Sequence, residues 1–187
     1  MDVIAALQAR VSCPKLRDPG PDDADLALMF RCALRAPDHG LLRPWRFVVI
    51  RSAARAALGD LFVQAQRRRN PAAPAEALDK LRRNPLRAPV VIVCAALTTP
   101  GHKVPVIEQV ASTAAAVQNL QLAAEALGFG AMWRTGPMAA DPYVKTQLGL
   151  AVQDEIVAFL YVGTVDGDRR PVEALDPALF VRSWDVA

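Results

Sequence analysis

Residues 35–50, Arg35-Ala36-Pro37-Asp38-His39-Gly40-Leu41-Leu42-Arg43-Pro44-Trp45-Arg46-Phe47-Val48-Val49-Ile50, pass from a helix end through a tight turn and a cationic loop into a buried strand. Pro37 cannot continue a helix, and its ring pushes Ala36 away from helical geometry. Asp38 and Gly40 suit a turn. From about Phe47 to Ile50 the chain is uniformly apolar, as an interior strand is. The loop between holds His39, Trp45, Arg35, Arg43 and Arg46 beside that strand. Guanidinium groups pair with phosphate, and an indole or imidazole can line a ring system. The set suits an anionic, planar, aromatic ligand.

Working outward, residues 2–11 read as a short helix, and Pro19-Gly20-Pro21 breaks the chain after it. Asp22 is the predicted N-cap of the next helix. There Leu26, Met29, Phe30, Ala33 and Leu34 form one apolar stripe at helical spacing. Ser52 is read as the cap of a helix that ends in Arg67-Arg68-Arg69-Asn70-Pro71. Residues 71–87, rich in charge and proline, read as a mobile helical excursion over the surface. Ala88 to Ala96 is a buried strand, and His102 to Pro105 a loop.

From about Val106 to Leu127 runs a long helix, apolar on nearly all sides, which places it in the core or at a subunit interface. Gly128 fits its C-terminal cap. Ala131 to Arg134 reads as a short strand, Asp141-Pro142 as a helix start, Gly149 as that helix's stop and Glu155 to Val165 as another buried strand. The tail from Asp166 reads as extended. A few strands separated by helices give an α+β or α/β protein in three layers.

The chain has 187 residues, which predicts one domain over 1–187, and 52% of them are hydrophobic. A mean hydropathy of +0.16 points to apolar surface buried in an oligomer. Net charge is +3, so nucleic acid is not demanded, and the arginines at 67–69, 82, 83 and 87 read as a solvated helix face. Cys13, Cys32 and Cys94 are odd in number and in no metal spacing, which favours a reducing compartment; Cys32 and Cys94 read as small core residues. The polar side chains within 109–124 make that segment a buried helix rather than a membrane span. Asp2 stands where a signal peptide would be basic, so a soluble cytoplasmic protein is expected. Two histidines and no carboxylate cluster argue against a metal site.

Two further segments carry possible chemistry. Arg10 and Ser12 pair a guanidinium with a hydroxyl at a helix end, as a phosphate clamp would, although on these residues alone a solvated arginine at a helix C-terminus is the better reading. In Gly128-Phe129-Gly130-Ala131-Met132-Trp133-Arg134-Thr135-Gly136 the glycines admit a ligand close to the backbone. The competing reading is a helix cap followed by an edge strand with a core tryptophan. The third glycine of a dinucleotide fingerprint is absent.

Taken together, these pieces resemble the nitroreductase family of flavin-dependent oxidoreductases. The matching segments are Arg10-x-Ser12, Arg35 to His39, Pro44 to Phe47, Arg87-Ala88-Pro89, His102 to Pro105, Gly128-Phe129-Gly130, Trp133 to Gly136 and Asp154 to Val157. Val11 stands where the family commonly has a second basic residue, and Leu41 and Arg43 where many relatives have asparagine and glutamine.

The resemblance implies an α+β, three-layer α/β/α sandwich that forms an intertwined homodimer with FMN across the interface. Carried over residue by residue, Arg10, Val11 and Ser12 would hold the phosphate and ribityl chain. Arg35 and His39 would approach the flavin from the partner subunit, and Trp133, Arg134 and Thr135 would line it on the first. Ala123, Ala124, Glu125, Ala126, Leu127 and Gly128 match a nicotinamide-nucleotide segment, which also reads as plain core helix. The implied activity is hydride transfer from NADH or NADPH through FMN to a nitroaromatic, quinone or similar small-molecule acceptor, by a ping-pong mechanism. The alternatives are a flavin-binding dimer that acts as a carrier with little turnover, a nucleic-acid-binding domain, and a different flavin reaction such as ring desaturation or dehalogenation.

Overall fold

The computed structural model describes residues 2–184. Its sheet is built around β5 (Glu155–Val165), which pairs with β3 (Val90–Ala96), β4 (Gly130–Arg134) and the two-residue β1 (Leu16–Arg17); β2 (Trp45–Arg51) pairs with β3. Every one of these pairings is antiparallel, which decides for α+β over α/β.

Alternation along the strands divides the core in two. Val90, Ile92 and Cys94 of β3, with Ala158, Leu160 and Val162 of β5, face α2 (Asp23–Ala33) and α5 (Val106–Ala126). Val91, Val93 and Ala95, with Phe159 and Tyr161, face α3 (Ala54–Arg69), α6 (Pro137–Ala140) and α7 (Pro142–Gln147). A register shift at Cys94/Ala95 turns Ile156 to the second face as well. Helices thus cover both faces, in three layers.

Several predicted boundaries hold for the predicted reason. Asp22 accepts from the Asp25 amide at 2.9 Å, and the Asp25 carboxylate accepts from the Asp22 amide, a reciprocal cap. α5 ends at Gly128 (φ 87°), with the Gly128 amide bonded to the Glu125 carbonyl and the Phe129 amide to the Ala124 carbonyl. Asp141 caps α7 through the Tyr143 and Val144 amides.

Other expectations need correction. The first helix, α1, is Val3–Ala9 rather than residues 2–11, and β2 begins at Trp45. Ser52 does not cap α3: it sits at φ 52° in the turn before it, and the N-cap Ala53 has no side chain able to bond. Cys32 is only half-buried, unlike Cys13 and Cys94. The excursion at 71–87 is helical, as α4 (Ala75–Arg83) and a following 3-10 turn, but it is docked rather than loose. A Cβ built at Gly59 would stand 2.2 Å from the Arg82 carbonyl oxygen, so α3 and α4 meet backbone to backbone.

Candidate functional site

The amino-terminal segment returns to the sheet immediately after α1. Ser12 bridges to Ala131, and the Cys13 amide donates to the Ala131 carbonyl at 2.9 Å. The predicted phosphate clamp therefore lies against the first residues of β4. Ser12, Lys15, Arg169 and Arg170 line a cleft of about 280 Å³ together with Asp166 and Asp168. Arg10 caps α1 and is half-buried, as is Val11, and neither lines this cleft.

Arg169 is engaged by the buried Glu125 carboxylate, at 2.6 Å to Oε1, which anchors the start of the tail to the end of α5. Lys15 and Arg170 stay exposed. Sequence reading passed over Arg169 and Arg170. The signal was present: a basic pair in Asp168-Arg169-Arg170-Pro171, just beyond the last strand.

Three residues beyond Ala131, about 10 Å along the strand, β4 reaches a second cavity. Met132, Trp133, Arg134, Thr135 and Gly136 form its floor, Phe159 and Tyr161 of β5 its side, and Phe62, Gln66, Leu81 and Asn84 of α3, α4 and the turn after α4 its roof; its volume is about 490 Å³. The Trp133 indole N–H donates to the Val157 carbonyl at 3.0 Å, so the predicted tryptophan is held by the sheet and also borders the cavity. The Arg134 guanidinium carbon lies 5.6 Å from the centre of the Tyr161 ring. Burial pushes the Tyr161 phenol above its ordinary pKa, against the opposing pull of Arg134 and Arg87. It is therefore a neutral O–H at physiological pH.

The 35–46 loop stands elsewhere. Arg35 and His39 are exposed and line neither cavity. His39 Nδ1 lies 2.5 Å from a Glu108 carboxylate oxygen, at the start of α5. The loop is fixed by short bonds: the Arg43 amide donates to the Asp38 carboxylate at 2.7 Å, and the Ser112 hydroxyl to the Pro37 carbonyl at 2.7 Å. Leu41 (φ 54°) and Arg43 (φ 50°) hold left-handed backbone conformations within it. Side chains resist that geometry, at about 1–3 kcal/mol each, so the surrounding bonds impose it.

Within 123–128, Ala123, Ala124 and Glu125 are buried, Leu127 is half-buried, and Ala126 and Gly128 are exposed. Two of the three arginines ending α3 are engaged inside the chain: Arg68 stacks 4.0 Å above Tyr143, and Arg69 lies 3.9 Å from Asp141.

The donor set suits FMN in kind. A hydroxyl and cations in the cleft match a phosphate. An aromatic and methionine-lined cavity with an arginine and a phenol matches a flat heteroaromatic ring. A polyol chain can run between them beside β4. A three-layer α+β sandwich with a polar cleft holding a hydroxyl and two exposed cations, and an aromatic cavity further along the same strand, suits a phosphorylated ring cofactor.

The chain belongs to the nitroreductase family, whose sequence profile matches residues 7–164. It is 38% identical over 164 residues to YdjA of Escherichia coli (strain K12), which bears the name of an NAD(P)H nitroreductase, with 88% of each chain covered. Among solved structures it is similar to a nitroreductase-like family protein from Bacillus cereus, at 22% identity and a TM-score of 0.82 over 98% of this chain and 96% of that one. It is also similar to the FMN and NADPH-dependent nitroreductase NfnB from Sphigopyxis sp. strain HMH, at 19% identity and a TM-score of 0.78 over the whole of both chains. Among the described residues no helix is long and apolar enough to cross a membrane.

Proposed function

We propose that this chain is a single-domain, cytoplasmic, FMN-dependent NAD(P)H oxidoreductase that works as an intertwined homodimer. The observation that carries the reading is the course of β4, which passes from Ser12 and the cleft holding Lys15 and Arg170 to Arg134 and the aromatic cavity. FMN bound there would supply the redox chemistry, hydride transfer from NADH or NADPH to a nitroaromatic, quinone or similar acceptor in a ping-pong cycle.

The chain's own task is to hold and polarise. Ser12, Lys15 and Arg170 bind the phosphate, with Arg10 supporting them from the end of α1. Trp133 and Thr135 shape the floor, and Arg134 sets a positive charge where negative charge develops on a reduced ring. No acid–base triad is needed for this work. In 123–128, Ala126 and Gly128 offer the exposed positions through which a nicotinamide nucleotide would touch the chain.

The dimer is supported by what one protomer leaves open. Arg35 and His39 are fixed by their loop yet reach neither cavity of their own chain, as expected if they serve a partner's site. Leu179, Phe180, Val181 and Trp184 of the tail are at least 70% exposed, which a water-soluble monomer would avoid.

Purified protein is expected to be yellow and to bleach anaerobically when NADPH or NADH is added. R170A is expected to weaken FMN binding about ten- to a hundredfold while the fold persists, the range for one charge-assisted contact, and R10A, from outside the cleft, to weaken it less. A wild-type protein that takes up no FMN overturns the reading. Bound flavin that neither nucleotide bleaches leaves the carrier in its place.

A further inference from the structure

Tyr161 sits in the middle of the longest strand, is 3% exposed and lines the larger cavity, yet its hydroxyl meets no hydrogen-bond partner among the described residues. A buried phenol normally finds one. The same residues leave no fully buried side-chain polar atom without a partner, so the hydroxyl touches solvent-accessible space, and the cavity is the space Tyr161 lines. The neighbouring groups narrow what could occupy it. Phe159, Phe62, Met132, Leu81 and Met138 make the walls apolar, and Arg134 supplies a cation close to the Tyr161 ring.

We propose that Tyr161 is a ligand-contacting residue whose hydroxyl donates a hydrogen bond to an acceptor atom, a ring nitrogen, carbonyl oxygen or nitro oxygen, on the aromatic molecule that fills this cavity. The proposal rests on the reading of the chain as an FMN-dependent oxidoreductase and adds to it a residue from β5, opposite the β4 segment. An acceptor atom there shares the cavity with the Arg134 guanidinium, which stands over the Tyr161 ring 5.6 Å from its centre. Two molecules share that chemistry: the flavin ring and the oxidant it serves. The neutral phenol keeps its proton to donate to an electron-rich atom, while Arg134 carries the charge. Among the described residues the hydroxyl has no structural partner to lose, so Tyr161→Phe is expected to remove the ligand contact alone.

The test is Y161F made in the full chain and compared with wild type for melting temperature, FMN dissociation constant, visible absorption of bound FMN, and KM for a nitroaromatic and a quinone. The melting temperature of the FMN-free protein is expected to be unchanged. If the contact is to the flavin, FMN binding weakens about three- to tenfold, the range for one neutral hydrogen bond, and the absorption band shifts. If it is to the oxidant, FMN binding and spectrum hold and KM rises by a similar factor. Y161F matching wild type in all of these overturns the proposal. A wild-type chain that binds no FMN fails earlier and overturns the functional reading instead.

Discussion

The centre of the sheet and the tail of this chain follow opposite rules. In β3 all seven residues are buried, and Leu120 of α5, packed in the same core, is fully enclosed. In residues 166–184 every residue is exposed, including Val172, Leu175, Leu179, Phe180, Val181 and Trp184. The tail is the more polar of the two, yet its apolar side chains are exposed as well. The centre satisfies its apolar groups within one chain, whereas the tail carries apolar groups that its own fold does not cover. Exposed apolar side chains also lie on α1 (Val3, Ile4 and Leu7) and at the start of α5 (Ile107). One protomer completes a core and leaves a perimeter for association.

That contrast can be broken or sharpened by substitution. The largest effect on stability belongs to the centre. L120A is expected to cost about 2–5 kcal/mol, read from urea denaturation, because it removes a fully enclosed side chain and leaves a cavity. A cost near that of a surface change would break the contrast. In the tail, F180D combined with W184D is expected to shift protomer stability by no more than about 0.5 kcal/mol per site. The sedimenting mass should nevertheless fall from dimer to monomer. A dimer that persists would move the seam away from the tail.

The smallest effect concerns the thiols. Burial pushes the Cys94 thiol far up, so it should resist alkylation in the native state while half-buried Cys32 reacts. The folded-state pKa lies above the unfolded one, so the stability this group contributes is whole below the ordinary thiol range. It is lost as pH rises beyond that range. C94A is expected to flatten the alkaline limb of the stability profile measured between about pH 8 and 10.

Much of the architecture was legible because local chemistry dictated it. Asp22, Gly128 and Asp141-Pro142 marked their helix ends through bonds that the fold makes as expected. Ser52 misled because a residue suited to capping was taken up by a left-handed turn, a choice made by the geometry joining β2 to α3. The site was partly legible: Ser12 and the 133–135 segment meet along β4. Arg170, Asn84 and Tyr161 were not, because each looks ordinary in its own segment. Only the packing of β5, the turn after α4 and the tail around β4 gives them a common purpose.

Gly59 has a further consequence. The missing side chain lets the Arg82 backbone press onto α3, and Leu81 just before it and Asn84 two residues after it roof the chamber beside Arg134. The headroom of that cavity is thus governed from a position outside its lining. Adding one methyl at position 59 would push the Arg82 backbone away and lift the roof, changing the room in the cavity without altering a single wall residue.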